Sequence, residues 1–210
     1  MPKNRLEAFS DGVLAIIITI MVLELKVPEG HSVSALLHTT GIALLTYLLS
    51  FVYLGIYWNN HHHMFHLVRK VGGGVLWANL ALLFWLSLLP FTTAWLDESH
   101  FARTPVVVYG LNLLAASVTY VVLQNVIIRQ QGPQSPLRAA VGADVKGKAS
   151  GVLFVTGTLS ALLLGGAGVV VALACFAAVA VLWIVPDRRI ARAVREHRTP
   201  EEEPSQPVSF

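Results

Sequence analysis

Charge is scarce in this chain. Asp, Glu, Lys and Arg make up 13% of its 210 residues, about half of what a soluble domain carries. With 55% hydrophobic residues and a mean hydropathy of +0.64, the composition is that of a membrane protein. Cysteine is nearly absent. The single Cys175 excludes a disulfide framework and a cysteine metal site, and its apolar surroundings make it a small packing residue. Motifs of soluble chemistry are also missing. There is no Walker loop, no dinucleotide fingerprint and no nucleic-acid module, so neither an enzyme nor a nucleic-acid partner is expected. The chain also lacks a Thr-Val-Gly-Tyr-Gly filter, an arginine-rich sensor helix and charged pairs in its later spans. The opening stretch has no second copy, which leaves one repeat unit.

What is present begins at Arg5. From Arg5 to Val27 the chain reads as one helix about 34 Å long, enough to cross a bilayer core. Between Val13 and Leu23 only Thr19 is polar. Its first third carries Arg5, Glu7, Ser10 and Asp11, at a depth where ionisable groups must face protein or water. That combination marks an inner helix of an assembly. A cleaved leader is not expected, because Glu7 and Asp11 interrupt the basic region and no small-x-small site follows before Pro28.

Five further spans follow: Val33 to Trp58, Val75 to Leu96 with a kink at Pro90, Pro105 to Ile128, Lys148 to Leu164, and Gly168 to Val185. Gly165-Gly-Ala-Gly168 suits a tight turn between the last two. Lysine and arginine set the orientation. With six spans, 13 of the 15 basic residues fall on one side, and only Lys26 and Arg103 on the other. Both termini are therefore expected in the cytoplasm. The expected fold class is all-α, a polytopic membrane protein. Residues 1–186 form the transmembrane domain, and residues 187–210 a basic, then acidic and Pro-rich tail expected to be disordered. The stretch from Gln130 to Gly147 reads as a mobile connection.

Three constellations carry chemistry. Ile16, Thr19, Ile20 and Leu23 recur at i, i+3, i+4 and i+7, forming one stripe of the first helix. Copies meeting around an axis would stack rings of aliphatic side chains with one ring of hydroxyls, which is pore chemistry; ordinary helix packing is the alternative. The second constellation is Trp58-Asn-Asn-His-His-His-Met-Phe-His66. A helix continuing through it would bring some of His61, His62 and His63 toward Ser10 or Asp11. Adjacent histidines on a helix point 100° apart, so no metal site is expected from the run. No histidine lies mid-membrane elsewhere, which excludes a haem cytochrome. The third is an outer rim of Glu24, Lys26, Glu29, Asp97, Glu98 and His100, read as exposed charge.

The run Arg5-x-x-x-Phe9-Ser10-Asp11 and the apolar block after it resemble the first helix of the transmembrane-protein-175 family, and Trp58-Asn-Asn-His-His resembles its second-span motif. The resemblance implies a channel without the usual potassium filter. It also implies a homotetramer in the cell membrane, with four copies of the first helix lining the pore and potassium ions as cargo. No cofactor is implied beyond the permeant ion. It matches Ile16 to the main hydrophobic constriction, Thr19 to a hydroxyl layer, and Ile20 and Leu23 to further constrictions. Arg5, Phe9, Ser10, Asp11, Asn60, His61 and His62 would hold the first helix against its neighbours. Ala15 stands where some animal members carry serine, so modest potassium preference is expected. The competing expectation is a proton-linked transporter or proton channel using Asp11 and His61 to His63 as a relay. A membrane oxidoreductase using the histidines comes third.

Overall fold

A computed structural model describes residues 2–68, 70–142 and 144–184. The expected tail and the basic residues from Arg188 onward lie outside the described residues, as does Arg69. Among the described residues there are eight helices and no strand. They are α1 (Lys3–Leu23), α2 (Val33–His66), α3 (Gly73–Ser87), α4 (Leu89–Glu98), α5 (Arg103–Gln131), α6 (Pro136–Val141), α7 (Val145–Leu163) and α8 (Gly165–Ile184).

The helices make six passes that alternate in direction. At one end Gln131 Nε2 donates to the Leu67 carbonyl (2.6 Å), Gln130 Nε2 to that of Lys70 (2.9 Å), and Lys146 Nζ to that of Leu182 (3.2 Å). These bonds gather the end of α2, the start of α3, the end of α5, and the α7 start with the α8 end. At the other end Thr40 donates to the Lys26 carbonyl (2.7 Å), and Lys26 pairs with Glu98 (3.2 Å). Five stretches are long and apolar enough to cross a membrane: α1, α2, Gly73–Glu98, α5 and α8. The sixth pass, α7, begins with Lys146 and Lys148 and packs between α5 and α8.

Local chemistry explains where the helices depart from expectation. α1 stops at Leu23 rather than Val27, and Pro28 bars its continuation by holding Val27 out of the helical region. The third pass is broken rather than bent. Pro90 in the first turn of α4 has no N–H to continue the ladder from α3. The stretch read as a mobile connection contains α6. Ser135 caps it by accepting from the Arg138 N–H (3.3 Å), and Leu137 and Ala140 are buried. Asp144 caps α7 through the Gly147 N–H (2.8 Å) and starts it three residues before Lys148.

One continuous core runs through the bundle from α1 to α8, with its aromatic part between α2, α5, α7 and α8. Tyr53, Tyr109, Phe154 and Phe176 are fully enclosed there. Tyr53 donates to the Phe176 carbonyl (2.6 Å), while Ser50 links Thr93 (2.7 Å) and Tyr109 (2.9 Å). These buried hydroxyls thus find partners where lipid offers none, whereas the Thr158 hydroxyl is buried without one. α7 and α8 form a hairpin closed by small residues. A Cβ on Gly168 would overlap the Ser160 carbonyl, and Gly165 takes a positive φ of 62° at the turn. Outward faces are apolar: Leu37, Leu45, Trp77, Phe84, Val152 and Val170 are all exposed. So much exposed apolar surface is what a lipid-facing bundle requires.

Candidate functional site

α1 has two faces of different character. Leu6, Ser10, Leu14, Ile17 and Met21 recur every three or four residues and are buried in the chain. The opposite face carries Phe9, Ile16, Thr19, Ile20 and Leu23, all exposed. Along that face an open groove runs between α1 and α4, lined by Val13, Ile16, Ile20, Phe91 and Trp95, with Glu24 and Glu98 at its rim. Within one chain, then, the Ile16 stripe has no cover. Thr19 donates its hydroxyl proton to the Ile16 carbonyl (2.9 Å), so its oxygen turns lone pairs outward.

Two bonds tie the polar end of α1 to its neighbours. Ser10 donates to the Leu6 carbonyl (2.9 Å) and accepts from the Asn79 amide (2.9 Å). The Asn79 carbonyl lies 2.7 Å from His61 Nε2. A carbonyl only accepts, so His61 Nε2 holds the proton. Ser10, Asn79 and His61 are all buried, and His61 stacks on Phe65 at 4.4 Å. Asp11 is held separately, accepting from the Trp58 indole N–H (3.0 Å). The structure thus brings Ser10 to His61 and Asp11 to Trp58, with no direct bond between Asp11 and a histidine among the described residues.

The other candidate residues lie elsewhere. Asn60 is turned toward α5: its amide donates to the Ile56 carbonyl of its own helix (2.9 Å), and its backbone carbonyl accepts from Tyr120 (3.3 Å). His62 bonds His66 one turn on (2.9 Å). Arg5 and Phe9 are exposed, and Arg5 forms no ion pair among the described residues. Glu24 is exposed beside the groove. The sequence reads Asn79 as an interhelical hydrogen-bonding group, because it is the one side-chain amide of an otherwise apolar helix. It is the centre of this network, a place that neither motif assigns to it.

Comparison with known proteins identifies the class. The fold matches the crystal structure of a lysosomal potassium-selective channel TMEM175 homolog from Chamaesiphon minutus, with a TM-score of 0.62 and 27% identity, covering 88% of this chain and 97% of that one. The protein is a multi-pass helical membrane channel, not an enzyme. Residues 5–90 match the family model described as Endosomal/lysosomal potassium channel TMEM175, a range that holds α1 from Arg5 onward, the histidine run and Asn79. A potassium channel of Chryseobacterium sp. is 49% identical over 197 residues, covering 94% of this chain and all of the relative. The chain belongs to the TMEM175 family of potassium channels. The human endosomal/lysosomal proton channel TMEM175 is 36% identical over 116 residues, which cover 50% of this chain and 23% of the human protein.

Proposed function

We propose that four copies of this chain assemble in the cell membrane around a pore lined by α1, through which potassium ions leak down their gradient. Residues 1–186 are the channel domain, residues 187–210 a cytoplasmic tail, and both termini are cytoplasmic. The observation that carries the reading is the uncovered face of α1. Ile16, Ile20 and Leu23 are 59%, 43% and 79% exposed in the single chain, on a helix whose polar end is held by the buried Asn79–Ser10 bond and by the exposed Trp58–Asp11 bond. A helix facing only lipid would have no need of Asp11 and Ser10 at that depth. Ile16 is the constriction, Thr19 the hydroxyl layer, and Ile20 and Leu23 close the outer part. The Thr19 hydroxyl supports cation passage, because its proton is engaged and its oxygen is the group left to a dehydrating ion. Arg5 and Phe9, exposed at the inner end, are free to contact a neighbouring copy.

The test is flux from purified protein in liposomes, with Ile16→Asn beside wild type. Potassium flux exceeding sodium flux, and a rise in the variant as a dewetting ring gains a polar group, is the expected result. No flux from either protein, when both are folded and tetrameric, overturns it.

A second reading is proton conduction, favoured by the buried Ser10–Asn79–His61 chain beside α1 and by relatives named proton channels. A relay from Asp11 to the histidines meets Trp58, whose indole donates but cannot accept. Asp11→Asn separates the readings: a leak keeps its conductance, and a relay loses its pH-driven flux.

A further inference from the structure

The run His61 to His63 points in three directions, but the fold creates a different pair. Because α2 stays helical to His66, His62 and His66 lie one turn apart on one face. Their Nε2 atoms are 2.9 Å apart, and their rings are perpendicular with centroids 4.4 Å apart. Both side chains are exposed. His62 also stacks on Trp58, at 6.1 Å and 21°, and Trp58 holds Asp11 of α1. Neither histidine takes part in the Ser10–Asn79–His61 chain.

We propose that His62 and His66 form a binding site for a divalent transition metal of the zinc class, and that its occupancy acts on α1 through Trp58. Imidazoles at i and i+4 are the spacing by which one helix face supplies two metal ligands. A tetrahedral ion with metal–nitrogen distances of about 2.0–2.1 Å sets its nitrogens about 3.3 Å apart. The pair therefore needs to open by about 0.4 Å from its 2.9 Å separation, with the two rings turning so that both Nε2 lone pairs meet on the ion. In the free pair one Nε2 donates its proton to the other. In the site both nitrogens offer lone pairs and each ring keeps its proton on Nδ1, a change of tautomer with no oxidation. Among the described residues no group of three or more His, Cys, Asp and Glu could hold a metal ion, so the site has two protein ligands and water would complete the shell. Such a site is exchangeable rather than structural. Imidazole and water suit zinc, copper and nickel, whereas magnesium and calcium prefer oxygen shells. The coupling step rests on the reading of α1 as the pore helix; the site itself does not.

Calorimetric titration of untagged full-length protein with Zn²⁺ tests the site. Wild type is expected to bind one ion per chain. His62→Gln and His66→Gln each weaken binding at least about tenfold, since loss of even an outer partner of a ligand does so, and His63→Gln binds like wild type. No binding by wild type, equal binding by all four proteins, or an equal loss in His63→Gln overturns it. Liposome flux tests the coupling. Zn²⁺ is expected to change potassium flux in wild type and not in His66→Gln. Trp58→Phe, which lacks the indole N–H, is expected to bind zinc but lose the flux response. A conducting wild type that binds zinc at this pair without any change in flux overturns the coupling. Binding is read without conduction, so a chain that binds zinc here but passes no potassium supports the site and overturns only the pore reading.

Discussion

Thr19 and Asn79 are two polar residues on apolar helices with opposite fates. Thr19 faces outward with its proton engaged by the Ile16 carbonyl, so on the proposed pore reading its loss would alter what an ion meets and little else. Thr19→Val is expected to lower the potassium-to-sodium flux ratio while leaving the yield of folded protein near wild type; an unchanged ratio removes Thr19 from the ion path. Asn79 is fully buried and bonded on both sides. Asn79→Leu strands the His61 N–H and removes the donor to Ser10, and a buried group left without its partner costs about 1–3 kcal/mol. The expected outcome is a lower melting temperature of the purified protein. His61→Ala in the Asn79→Leu background should add less than it does alone, because the two share one chain of bonds.

At the scale of helices, the hairpin α7–α8 depends on close approach more than on hydropathy. Gly157 and Gly168 sit where a Cβ would press on the partner helix, on Cys175 and Phe176 in one case and on the Ser160 backbone in the other. Gly168→Val is expected to separate the pair and reduce the monodisperse fraction on size exclusion by more than half, since backbone cannot shift as a side-chain tip can. Gly166→Ala, with open space around it, serves as the control and should elute as wild type. Equal profiles for both variants would mean that small residues do not set this contact.

The whole molecule leaves one helix half-covered. α1 packs on α2, α3 and α4, yet its Ile16 stripe and the groove toward α4 stay open. A fourfold arrangement would bring the Leu23 positions together around the axis. In a Cys175→Ala background, Leu23→Cys is expected to form disulfide-linked dimers under mild oxidation. Leu45→Cys, on an equally apolar but lipid-facing part of α2, is expected to remain monomeric on the same gel. Cross-linking at Leu45 and not at Leu23 would move α1 away from the axis.

Much of this protein was written in its composition and periodicity. Scarce charge and apolar stretches of spanning length dictate an all-helical membrane bundle, because hydrocarbon forces every backbone group of a helix to bond within its own segment. The first-helix and Trp58–His62 motifs were legible for the same reason: polar groups at membrane depth must have partners, so they stand out. Which partners they take was decided by tertiary structure. His61 and Ser10 meet only through Asn79 on α3, Asp11 goes to Trp58 rather than to a histidine, and the Asn60 amide bonds its own helix while its backbone carbonyl takes Tyr120 of α5. Rotation of one helix against another sets these pairings, and no spacing along a single helix encodes it. The interruption at Pro90 was legible from the proline itself, whereas the capped α6 depends on local turn chemistry, which hydropathy averages away. The His62–His66 pair exists because α2 runs on to His66, and a helix end is decided by what its last turn meets: here Gln131 of α5, reaching across to the Leu67 carbonyl.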